Sequence, residues 1–139
     1  MGKLGKVMRR VSLFCAATAI AATGQTFATL FSFDEVDGAA PNDALVQGTD
    51  GNFYGTTYQG GDLSCDAPNG CGTVFKITPA GILTTLHRFE SSDGANPYAA
   101  LVLGTDGKFY GTTLRGGVGG FGTVFKITAQ GMLKNPAQL

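Results

Sequence analysis

At 139 residues and a formal charge of zero, the chain has the length of a single domain and no basic excess to neutralise a phosphate backbone. Four of its ten basic residues, Lys3, Lys6, Arg9 and Arg10, fall in the first ten positions; the rest is mildly acidic, with no basic patch for nucleic acid. Its 22 glycines have no three-residue period and close short runs rich in Val, Ile, Phe, Tyr and Thr, which excludes collagen-like and low-complexity disordered chains.

The chain opens with a basic segment, residues 1–10, followed by an uncharged, mostly apolar stretch over residues 11–22 and the small-residue run AIAATGQ. That order is a secretory signal peptide, assigned to residues 1–24 with Gln25 as the mature N-terminus. The apolar stretch is shorter than the roughly 20 residues that cross a bilayer, so no membrane span is expected. Cys15 follows bulky Phe14, where a lipoprotein cleavage site needs a small residue. The Arg9-Arg10 pair fits the twin-arginine pattern only loosely. Export by the general secretory route, to the cell surface or the medium, is the expectation.

Beyond Gln25 the chain is two copies of one unit. Residues 29–61 align with 85–117 and residues 72–81 with 122–131, giving 29 identities at 43 aligned positions. Copy one covers about residues 29–84 and copy two about 85–134, separated in register by one insertion between Gly61 and Gly72. Each copy parses into four strands. In chain order these are residues 44–49 (100–105), ending at an Asp-Gly hairpin signal, then 53–58 (109–114), 73–78 (123–128) and 82–89. The fourth has an earlier counterpart in residues 27–33 and a truncated one starting at Met132. No stretch of the mature chain has a 3.6-residue apolar period, so the fold is expected to be all-β.

Alternation puts Thr73, Phe75 and Ile77 on one face of the third strand and Val74 and Lys76 on the other. The second strand likewise divides Phe53 from Tyr54 and Tyr58. Apolar groups on both faces suit a sheet sandwiched between neighbours. With about 50 residues and four strands per unit, the expectation is a β-propeller-like repeat. Closed propellers have roughly four to eight blades, so two copies predict a partial or open propeller with exposed edges, and hence a homo-oligomer or additional repeats.

The DGANPYAALVLGTDGKFYGTT and GTVFKIT segments resemble the GloVer tandem repeat of bacterial exported proteins, over essentially everything after Gln25. The second strand is also similar to the blades of sensor-type propellers, with Phe-Tyr in place of Leu-Trp. The resemblance implies a surface or secreted repeat protein, usually with more copies, and brings no catalytic residues.

Four features resemble chemistry. Residues 117–124 fit the kinase pattern G-x-G-x-x-G-x-V, but too little chain follows for the remaining kinase elements, and a strand rather than a helix comes next. A Gly-rich turn is expected. Asp50-Gly51 and Asp106-Gly107 supply one carboxylate per turn, too few for calcium, and read as tight turns. His87, the sole histidine, aligns with Phe31 and reads as a packed strand residue rather than a catalytic base. Cys65 and Cys71 lie in the insertion around Pro68-Asn69-Gly70, and signal cleavage removes Cys15. A disulfide between them is expected in an oxidising compartment; two free thiols or a two-thiolate metal site are the alternatives.

Residues shared by both copies serve the repeat, whereas catalysis needs polar groups that converge in one place. The functional expectation is an exported, non-enzymatic module that binds or displays an unknown protein or carbohydrate, without cofactor. A fragment of a longer repeat protein and a propeller-based enzyme are the alternatives.

Overall fold

The computed structural model describes residues 24–134. The expected signal segment lies outside the described residues apart from Gly24. Among those residues the fold is all-β, without helix, in two antiparallel sheets.

The first sheet is a meander of β1 (Val46–Gln47), β2 (Phe53–Thr57), β3 (Thr73–Ile77) and β4 (Leu83–Arg88). The second holds β5 (Ala95–Pro97), β6 (Val102–Leu103), β7 (Phe109–Arg115), β8 (Thr123–Ile127) and β9 (Leu133–Lys134). The two copies share one register: Val46 faces Tyr54 as Val102 faces Tyr110, and Phe53 faces Ile77 as Phe109 faces Ile127.

Local chemistry explains the shared turns. In the first hairpin Gly51 takes φ 80°, which L side chains rarely adopt, and the Asp50 carboxylate accepts the Asn52 amide at 3.1 Å. The β2–β3 hairpin is tied by a buried threonine pair. The Thr57 and Thr73 hydroxyls are 2.9 Å apart, and the Thr57 oxygen also accepts the Thr73 amide at 3.1 Å. The Thr73 hydroxyl donates in turn to the Asp37 carbonyl at 3.2 Å, and Thr113, Thr123 and Asp93 repeat the arrangement. This network accounts for the Gly-Thr-Thr and Gly-Thr-Val blocks common to both copies. Between β3 and β4 the register shifts after Val74, where a bulge carries Leu86 past the pairing of His87 and Thr85.

The structure departs from the sequence expectation in three places. The first strand of each copy pairs over only two residues, because Gly48 and Thr49 belong to the Asp-Gly turn. A fifth strand, β5, pairs with the far half of β7, at Ala95 with Arg115 and Pro97 with Thr113. Copy one keeps only the isolated Ala39–Gln59 bridge at this place. Residues 27–33, expected as an outer strand, join no ladder: β9 lies along β8, the edge they would complete in a closed ring. They are nevertheless placed like β4. Phe33 packs edge-on against Phe75 at 5.2 Å, as Phe89 does against Phe125 at 5.2 Å. Gly81 backs onto the Leu30 carbonyl as Gly131 backs onto that of Leu86.

The core lies between the sheets. Tyr54 and Val74 on the first sheet are buried in one cluster with Phe89, Leu101, Phe109 and Phe125. The ring of Tyr54 stacks on that of Phe109 at 4.0 Å, and Tyr58 meets Tyr98 edge-on at 5.8 Å.

Candidate binding cleft

Where the copies differ most, their loops face each other. In copy one the insertion between β2 and β3 folds on its own polar groups. The Asp62 carboxylate accepts the Ser64 hydroxyl at 2.7 Å and its amide at 2.9 Å, which holds its pKa below the usual carboxylate value. Gly70 presses against the backbone of Gly60 with φ 75°, leaving no room for a Cβ. The loop is closed by a disulfide between Cys65 and Cys71, whose Cα atoms are 5.5 Å apart. Cys71 is fully buried, and the Ser91 hydroxyl lies 3.3 Å from the Cys65 sulfur.

In copy two the same place holds the Gly-rich run from Gly116 to Gly122. It is a turn between two strands, as expected. The Gly117 amide donates to the Ser91 carbonyl at 2.9 Å, Gly120 to Gly117 at 3.1 Å and Gly122 to Gly116 at 3.0 Å. Those three amides are engaged within the protein.

Between the two loops is a cleft of about 520 Å³, lined by Asp66, Cys71, Ser91, Asn96, Arg115 and residues 116–120. This volume is within the range of small-ligand sites, roughly 300–1,000 Å³. Its floor is rigid, because buried Asn96 donates its amide N–H to the Cys71 carbonyl at 2.8 Å and its side-chain N–H to the Tyr58 carbonyl at 3.0 Å. Asp66 and Arg115 are exposed residues of opposite charge in its lining. Arg115 stands where copy one has Gln59, and Asn96 where copy one has Ala40. Sequence reasoning marked the insertion but not Ser91, Asn96 or Arg115, which meet the disulfide loop only because copy two folds against copy one.

The other sequence candidates stay apart from this cleft. Asp50 and Asp106 both line a second, smaller hollow between the two Asp-Gly turns, and each is held within its own turn. Asp50 accepts the Tyr54 hydroxyl at 2.7 Å and the Asn52 side-chain N–H at 2.8 Å; these bonds lower its pKa in that order. Burial, and then the bond to Asp50, push the Tyr54 phenol well above its usual value. In copy two Lys108 and Tyr110 hold Asp106 at 3.1 and 3.0 Å, again lowering its pKa.

His87 packs edge-on against Phe89 at 5.0 Å, and its Nε2 is 2.8 Å from an Asp93 carboxylate oxygen. The other oxygen of that carboxylate accepts the Glu90 amide at 3.0 Å, as Asp37 accepts Asp34 in copy one. Asp93 is therefore first a turn residue. Among the described residues no group of three or more His, Cys, Asp or Glu side chains is placed to hold a metal ion.

The model of the Gloeobacter/Verrucomicrobia repeat family matches residues 16–135, most of the chain. No curated protein and no solved structure matches it.

Proposed function

Because the chain belongs to the Gloeobacter/Verrucomicrobia repeat family, we propose that it is an exported, non-enzymatic binding module. Its repeats would form a propeller-like framework, and its ligand site would be the cleft between the two unlike loops. The observation that carries this reading is the division of labour between shared and unshared residues. The residues common to both copies build strands, turns and the threonine pairs. Among the parts that differ, the disulfide loop, Ser91, Asn96, Arg115 and the Gly-rich run surround one cleft. A hydrogen-bonded floor and opposite charges suit a polar ligand such as a carbohydrate or an extended peptide.

A disulfide and the absence of a membrane-crossing helix among the described residues are compatible with an extracellular location. Two experiments test the proposal. Mass spectrometry of material exported by a bacterial host should find the mature chain starting between Ala22 and Gln25; retention of Met1 there would oppose export. Glycan and peptide arrays probed with the chain and with Arg115→Ala should give a signal that the substitution abolishes. A signal indifferent to Arg115 and Asp66, or none, would oppose the cleft as the site.

A further inference from the structure

The two copies place the same residues in unlike surroundings, and the difference falls on one face. Tyr54, Thr56 and Val74 lie on the face of the first sheet that packs against the second, and all three are buried. Their counterparts Tyr110, Thr112 and Val124 occupy the corresponding face of the second sheet. There Val124 is 54% exposed where Val74 is 0%. Thr112 is exposed, and Val102 and Leu114 extend the face as a contiguous exposed apolar stripe.

The far end of the molecule carries the complementary shape. A hollow of about 230 Å³ on the first sheet is lined by Leu30, Phe31, Phe33, Leu45, Phe75 and Ile77, with Pro41 and Asp43. At the equivalent positions of copy two stand Leu86, His87, Phe89, Leu101, Phe125 and Ile127, with Pro97 and Ala99, so six of the eight are identical. In copy two these residues receive copy one: Phe89, Leu101, Phe125 and Ile127 are buried in the same cluster as Tyr54 and Val74. The missing cover in copy one is seen at Leu45, 50% exposed where Leu101 is 4%.

We propose that identical chains associate head to tail. The Tyr110–Val124 face of one chain docks into the Phe33–Phe75 hollow of the next and repeats the joint that already holds copy one to copy two. The occupant is a second copy of this chain because the donor face keeps Val, Tyr, Thr and Val at positions 102, 110, 112 and 124, matching 46, 54, 56 and 74 of the internal joint. Phe53, half-buried, takes the role of Phe109 and receives the Tyr110 ring. The bond from Asn96 to the Tyr58 carbonyl has no counterpart, since Ala40 stands at the position of Asn96. The joint between chains is therefore chiefly apolar. Because the two faces differ, the contact is heterologous and generates a ring if the rotation closes and a filament if it does not. The assembly is independent of ligand binding at the cleft, so either can fail alone.

Analytical ultracentrifugation of the mature chain, with Val124→Lys, Leu45→Lys and Val36→Lys variants, tests this. All three substituted side chains are at least half exposed, and circular dichroism checks that each variant keeps its sheet content. The unaltered chain and V36K should form species larger than one chain at roughly 100 µM. V124K and L45K should each weaken association about 100-fold, because each forces a charged ammonium into a chiefly apolar joint. Mixing V124K with L45K should restore a one-to-one pair, since each retains the face that the other lacks. A monomeric unaltered chain, association that survives V124K, or a mixture that stays monomeric would overturn the proposal.

Discussion

The ring of Tyr54 lies 4.0 Å from that of Phe109 and nearly parallel to it, so the second strand of one copy meets the second strand of the other through an aromatic stack. Offset stacks of this kind contribute about 0.5–1.5 kcal/mol beyond their burial. The same Tyr54 hydroxyl reaches back 2.7 Å to Asp50 in its own turn, so one side chain joins the hairpin to the interface between copies.

Truncating this stack should therefore cost more than truncating its repeat equivalent. Phe109→Ala, at a position 1% exposed, is expected to lose about 3–5 kcal/mol of stability. Phe53→Ala, half-buried in the same register, should lose clearly less. Urea denaturation of the two variants measures the difference. Equal losses would mean that the copies do not depend on this contact.

Tyr54 should also govern the alkaline limb of stability. Its phenol pKa is raised by burial and by the bond to Asp50, so the folded state keeps a proton that the unfolded chain releases near pH 10. The stabilising contribution is complete below pH 10 and is lost as the pH rises from there toward the folded pKa. Ultraviolet titration of the phenolates should find Tyr54 resisting ionisation until unfolding. Tyr54→Phe should remove that component and flatten the alkaline fall in stability.

The disulfide between Cys65 and Cys71 closes a short loop, for which chain entropy predicts about 2 kcal/mol of stabilisation. Thiol titration of the mature, unreduced, denatured protein should find no free sulfhydryl. Replacing both cysteines with serine should lower stability by about that amount and loosen the cleft wall, while the sheets remain. Two titratable thiols in the mature protein would refute the pairing.

The threonine pair predicts a non-additive double mutant. Thr57→Val removes the acceptor of the buried Thr73 amide and should cost about 1–3 kcal/mol. Thr73→Val breaks the same 2.9 Å contact and the bond to Asp37. The double variant should lose less than the sum, because the contact between the hydroxyls can be lost only once. Strict additivity, read from chemical denaturation, would dissolve the network.

The duplicated parts were legible for a physical reason: turns and strand alternation are local. Asp50-Gly51 and Asp106-Gly107 announce their hairpins because a positive φ and a side-chain cap need only adjacent residues. The strands β2, β3, β7 and β8 follow from alternating β-branched and aromatic residues. The fifth strand was not legible, since Pro97 argues against a strand unless it lies on an edge, and only the fold makes β5 an edge. The outer segment at residues 27–33 carried a strand pattern, yet pairing needs a neighbour, and its rings found Phe75 without a ladder.

The repeat, the all-β class, the turn chemistry and the expectation of a cysteine pair are each written within a short window of residues. Tertiary structure alone decided which aromatic of each Phe-Tyr pair is covered, since both faces of the strand are apolar and alternation cannot rank them. It buried Tyr54 and left the face of Tyr110 open because copy two covers one sheet face and nothing among the described residues covers the next. It also made the cleft, bringing Asp66 and Arg115 from different copies into one lining. Proximity between residues so far apart along the chain comes from how the sheets stack, and no local window contains it.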